Sequence, residues 1–164
     1  MIRLIKLLFV SFASSYKILE SVTPVFPKVI EPCQGISKRL LGSSVKVCDK
    51  LTEIGYPVMM SSDNSTGSIC NEKHREHYGY MMPSENFTEI HISNKLLNSP
   101  NTLYNVVLHE VLHSVGLHHS SKEGMMKYAV SENWWGGVIE DQRELWLSID
   151  DLSGLYYIST LASD

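Results

Sequence analysis

Residues 109–119 read HEVLHSVGLHH, and no other stretch of the chain restricts its fold as tightly. His109 and His113 are four residues apart. A helix through them therefore sets both imidazoles on one face, within reach of a single metal ion, with Glu110 beside them to handle a proton. Gly116 can take the left-handed backbone that stops a helix. The chain then turns back and offers a further histidine, His118 or His119. The pattern thus demands a helix, an abrupt end and a return.

Apolar positions support that helix. Asn101 is a candidate cap for a helix beginning at Thr102, and Leu103, Val106, Val107, Val111, Leu112 and Val115 recur at near-helical spacing. The β-branched residues lower intrinsic propensity, so burial must hold the helix together. A bare pair of histidines four apart also occurs on amphipathic helices that bind nothing. The added glycine and third histidine weigh against that reading, because three neutral imidazoles with an open position for water are the donor set of a catalytic rather than a closed zinc site.

The full pattern resembles the long zinc motif of the metzincin metallopeptidases, HExxHxxGxxH, and His109, Glu110, His113, Gly116 and His119 match every defined position. The wording GLHHSS over Gly116 to Ser121 is similar to the matrixin branch, as is LSIDDLSGLYYI over Leu147 to Ile158, where Asp150, Asp151 and Gly154 carry the match. The resemblance favours His119 over His118 as third ligand. It implies an α+β zincin-like fold: a twisted, mostly parallel sheet with an antiparallel edge strand, an active-site helix, and a small C-terminal subdomain ending in a helix. The implied activity is that of a zinc-dependent endopeptidase, in which Glu110 takes a proton from the attacking water and passes it to the leaving nitrogen. The contrasting reading is a zinc-binding interaction module or decoy without hydrolysis, against which the intact Glu110 argues.

Metzincins also carry a methionine turn beneath the metal. In GMMKY, Met126 stands in a Met-x-Tyr arrangement with Tyr128, and in some branches such a tyrosine ligates zinc or steadies the intermediate; either methionine could instead fill an apolar gap. Matrixins usually hold further structural zinc and calcium ions. His91 in EIHIS matches one histidine of that site, but the aspartate and glycine context is missing, and His74 and His77 are not correctly spaced. One catalytic zinc is expected, with a second zinc or calcium left open. EPCQG around Cys33 lacks the basic and proline-aspartate context of a latency switch, so a minimal enzyme without a long prodomain is expected, restrained by a partner inhibitor or by secretion.

At 164 residues the chain suits one domain with one core. Its net charge of -4 gives no reason to expect a nucleic-acid partner. Residues 1–15 begin with Arg3 and Lys6, continue with an apolar run from Leu7 to Ala13 and end in small residues. This resembles a secretory signal cut after Ser15, leaving 16–164 as the catalytic domain; the alternative is a buried first element. No segment is long enough for a membrane span, and a secreted monomer is expected. Of Cys33, Cys48 and Cys70, export would pair two and leave one, and spacing does not say which. The tripeptides at Asn64 and Asn86 are weak signs of glycosylation.

Upstream, Thr23 to Pro32 reads as extended, Ser44 to Cys48 and Tyr56 to Met60 as strands, and Ser61 to Ser68 as a loop. Gly79 to Pro83 and Glu89 to Ser93 read as extended pieces around a turn at PSEN, with Ile90 and Ile92 on one face and His91 on the other. An exposed edge around Tyr80 to Pro83 could hold a protein or peptide substrate as an added strand. Tyr128 to Trp135 would wall a pocket for a hydrophobic side chain just beyond the cut, although Trp134 and Trp135 serve equally as core anchors. Near the C-terminus, Ser148 and Asp151 form a capping box for a last helix whose buried stripe is Leu152, Leu155 and Tyr156. Residues Glu140 to Leu147 form a helical turn before it or lead straight in.

Overall fold

Strand β1 (Lys28–Pro32) is flanked on both sides by parallel neighbours, β2 (Val58–Met60) and β3 (Gly67–Glu72). The computed structural model describes residues 18–73, 77–122, 124–127 and 143–163. Strand β5 (Phe87–Ser93) continues the parallel set beside β3, and β4 (Gly79–Ser84) closes the edge as its antiparallel hairpin partner. The five-stranded order is β2-β1-β3-β5-β4. With helices α1 (Lys38–Glu53), α2 (Pro100–Ser114) and α3 (Ile149–Ser163), this is an α+β architecture with a mostly parallel sheet and an antiparallel edge pair. The expected sheet and C-terminal helix are present.

Helix α1 corrects one expectation. Ser44 to Cys48 is not a strand: it lies inside this helix. The local run of valines suggests alternation, but the buried positions Leu40, Ser44, Val47, Cys48 and Leu51 follow the helical repeat. Ser37 starts the helix by accepting the Leu40 N–H on its Oγ at 3.2 Å, and Asn71 Oδ1 in turn accepts the Ser37 N–H at 2.8 Å. The helix is the crossover that a parallel β1–β2 pair requires.

Strand β3 also departs from the expected loop, since it begins at Gly67 and was not anticipated as a strand. Its first residues, Gly67, Ser68 and Ile69, are buried between β1 and β5, so polar composition hides a central strand. Strand β5 keeps the expected alternation, with Thr88, Ile90 and Ile92 buried and His91 on the other face. The hairpin turns through exposed Asn86 at a φ of 56°.

Helix α2 starts earlier than expected. Pro100 occupies its first turn and Ser99, not Asn101, is the cap residue, which is natural because proline's fixed φ suits that position. Every residue from Thr102 to Ser114 is buried, so this is a core helix enclosed on all sides. It shares one core with Ile30, Ile69, Ile90, Leu40, Leu51 and, from α3, Leu155 and Ile158. Buried Asn105 clamps the approach to α3 by donating to the Arg143 carbonyl at 3.0 Å and accepting the Leu145 N–H at 2.7 Å. Residues 143–148 lead straight into α3 without a preceding helical turn. At its start the capping box is reciprocal: the Ser148 N–H donates to Asp151 Oδ2 at 2.9 Å and the Asp151 N–H to Ser148 Oγ at 3.1 Å. Leu155 and Ile158 are the buried stripe, while Leu152 and Tyr156 are half-buried.

Cys33 and Cys70 pair, tying the end of β1 to β3, and Cys48 is the buried free thiol. Burial pushes that thiol up to about 12, so it is unreactive at neutral pH. The pairing also removes Cys33 from any role as a metal-blocking switch. No described helix is long and apolar enough to cross a membrane. The proposed signal at 1–15, His74, Tyr128, Trp134 and Trp135 lie outside the described residues.

Candidate metal centre

The end of α2 shapes the centre. Val115 caps it, Gly116 follows at a φ of 113°, the Gly116 N–H donates to the His113 carbonyl at 3.0 Å and the Leu117 N–H to the Leu112 carbonyl at 3.1 Å. This paired bonding is a Schellman ending, which needs a left-handed residue and so favours glycine. A Cβ on Gly116 would find ordinary space, 3.6 Å from Ile158 Cδ1, so the backbone angle and not crowding selects glycine. The turn brings the chain back towards the helix.

Three imidazoles meet there. His113 Nε2 lies 3.1 Å from His109 Nε2, and His119 Nε2 lies 3.2 Å from each of the other two. Two of the rings are fixed from behind: His109 Nδ1 contacts the Met125 carbonyl at 2.7 Å and His113 Nδ1 the Leu117 carbonyl at 2.6 Å. A carbonyl only accepts, so Nδ1 of each ring carries the proton and Nε2 presents a lone pair. Lone pairs converging on one point repel unless a cation sits between them. Tetrahedral zinc with bonds of ~2.0–2.1 Å would set its ligand nitrogens about 3.3 Å apart, close to the observed separations. The residues present fit a zinc ion.

Electrostatics agree. Burial holds His109 well below the ordinary imidazole range, the neighbouring His113 adding to the effect, and lowers His113 to about 4. His119 is lowered by burial and then by His118. All three are thus neutral at pH 7, the form a metal ion requires. His118, the competing third histidine, lies outside this cluster; its Nδ1 accepts the His119 N–H at 2.7 Å.

Glu110 is 3 % exposed, and burial pushes its carboxyl up to about 8. It lines a cleft of about 300 Å³ together with the three histidines, His118, Leu19, Gly79, Tyr80 and Met81. Strand β4 passes close over it: a Cβ on Gly79 would lie 2.9 Å from Val106 Cγ1 and 3.2 Å from Glu110 Cγ. Gly79 is therefore a requirement of the approach between edge strand and helix, and neither its position nor Leu19's was legible as part of the site. Leu19 arrives there because its N–H donates to the Gly116 carbonyl at 2.8 Å.

The turn at Met125 and Met126 and the last helix back the centre. Met125 and Met126 are both buried, and the carbonyl that meets His109 Nδ1 is that of Met125. Asp151 accepts the Met125 N–H at 2.8 Å and the Met126 N–H at 3.2 Å. Asp150 accepts from the Ser120 hydroxyl, and the Ser120 N–H donates to the Met126 carbonyl at 2.6 Å. His91 is elsewhere, stacked on Tyr80 at 4.7 Å with Nδ1 2.8 Å from Glu72 Oε1. Among the described residues, His109, His113 and His119 form the one group able to hold a metal. No protein-family model matches the chain, and neither does any curated protein.

Proposed function

We propose that the chain is a zinc-dependent endopeptidase of the metzincin type, nearest the matrixins. The observation that carries this reading is the convergence of three imidazole Nε2 atoms, two of them left proton-free by carbonyls at Nδ1, beside the buried Glu110 carboxyl at the floor of an open cleft. Zinc held there supplies the Lewis acidity that polarises a peptide carbonyl and makes water a competent nucleophile near neutral pH. Glu110 takes the proton from the attacking water and delivers it to the leaving nitrogen. Burial raises its carboxyl to about 8, which helps it hold the proton once taken; a zinc cation beside it would favour the ionised form that takes the proton in the first place. Strand β4 ends the sheet, and Gly79, Tyr80 and Met81 face the cleft, so an extended peptide can add there as a further strand.

The reading extends to an exported protein, with the Cys33–Cys70 pair and residues 1–15 as its supporting features. The deciding experiment measures zinc stoichiometry and peptide cleavage in the native chain and in Glu110→Ala. One zinc in both proteins with cleavage in the native chain alone supports a peptidase. Zinc bound by a native chain that cleaves no peptide of a random library supports the non-hydrolytic interaction module.

A further inference from the structure

Away from the histidines, the N-terminal ends of β1, β3 and β5 enclose a buried ammonium. Lys28 is 5 % exposed, and its Nζ donates to the Thr66 carbonyl at 2.8 Å and to Thr88 Oγ1 at 2.7 Å. An ammonium carries three N–H groups. The third has no acceptor among the described residues, and no carboxylate there pairs with the charge. Burial lowers Lys28 to about 8, so it remains charged at neutral pH. A buried charge without a counter-ion is costly, and proteins rarely keep one without use.

The surroundings are built around it. A Cβ on Gly67 would fall 2.8 Å from both Thr88 O and Thr88 Oγ1 and 3.3 Å from Lys28 Cε, so bare backbone at this point makes room for the ammonium. Lys28 and Thr88 line a cavity of about 120 Å³ whose walls also include Ser21, Ser84, Val22 and Phe87. The Thr88 hydroxyl accepts from Lys28 and keeps its own proton to give. Two donors therefore face one small, partly apolar space.

We infer that this cavity binds a small carboxylate with a short apolar tail, its oxygens on Lys28 Nζ and Thr88 Oγ1 and its tail against Val22 and Phe87. Two segments join this cavity to the metal centre. Strand β4 runs from Gly79 beside Glu110 to Ser84 here, a span of roughly 17 Å, and the stretch from Leu19 to Val22 walls both clefts. An occupied cavity would therefore steady the strand over Glu110.

The test is a titration of the full chain with sodium butyrate, in a buffer free of other oxyanions, read by amide chemical shifts. Saturable shifts at Thr66, Gly67 and Thr88 are expected, with affinity at least about tenfold weaker in Lys28→Met. Thr88→Val keeps the ammonium and the shape, should also weaken binding, and decides the matter if Lys28→Met does not fold. An equal response to n-butanol would mean that the charge plays no part and overturns the inference. Inorganic phosphate binding as well as butyrate, or in its place, overturns the carboxylate-with-tail assignment. Absence of saturation at millimolar butyrate overturns the site altogether.

Discussion

Asp151 accepts the Met125 N–H at 2.8 Å, and the carbonyl of that same methionine meets His109 Nδ1 at 2.7 Å. The last helix therefore reaches the metal centre through one residue's backbone. Removing the Asp151 carboxylate strands the N–H groups of Met125, Met126 and Ser148 and loosens the carbonyl that sets the His109 tautomer. Asp151→Ala should weaken zinc binding by about 10–100-fold and cost roughly 1–3 kcal/mol of stability. Competition with a chelator gives the first number and urea unfolding the second.

Zinc should stabilise the fold, because an ion binding only the native centre shifts unfolding by mass action. At a free concentration of about 1,000 times its dissociation constant the gain is ~4 kcal/mol. Chelation should lower the thermal midpoint of the native chain and leave that of His113→Ala unchanged. An unmoved midpoint in the native chain would count against the centre.

Gly79→Ala tests the edge strand. The new methyl must displace Val106 and Ile92, whose atoms lie 2.9 and 3.1 Å from the Cβ position, and press on Glu110. Overpacking of this kind costs roughly 1–3 kcal/mol. Peptide cleavage should fall while zinc stoichiometry stays at one, since no ligand is touched.

The disulfide closes a separation of 37 residues. Chain entropy assigns such a loop about 4 kcal/mol. Cys33→Ser with Cys70→Ser should lower stability in urea by an amount of that order, with the metal centre retained.

Lys28 makes a pH signature with a definite sign. Its folded pKa of about 8 lies below the ordinary 10.5. Between these values the unfolded chain binds the extra proton, so this contribution to stability rises with pH; below pH 8 the penalty is present in full. The difference in stability between the native chain and Lys28→Met should shift in favour of the native chain by about 3 kcal/mol from pH 7 to 10.5. Cys48 and Tyr104, both raised to about 12 by burial, lose stability in that range in both proteins and cancel. Urea denaturation across the window reads the difference.

What could be read from the sequence was what neighbours along the chain decide. The helix end at Gly116 and the capping box of Ser148 and Asp151 are each written within a few residues, and the structure has both. The alternation in β5 is equally local. Ser44 to Cys48 misleads because valines favour strands in isolation, whereas the face that Leu40 and Leu51 complete lies beyond a five-residue window. Gly67 to Glu72 looks polar, yet two strands from elsewhere bury its start. At the centre the ligand histidines are spelled out, but the carbonyls of Met125 and Leu117 that orient two of them, and the glycine that lets β4 approach, exist only once the chain has folded.

The Schellman turn at Gly116 makes the histidine cluster almost entirely local in the chain. Because it returns the chain at once, the ligands from His109 to His119 come from one short contiguous stretch, and gathering them closes almost no loop. Their support from Asp151 crosses a much longer separation and costs correspondingly more chain entropy. A cation held there is therefore gathered mainly by local chain, and the support that α3 lends through Asp151 is the part that long-range folding must provide.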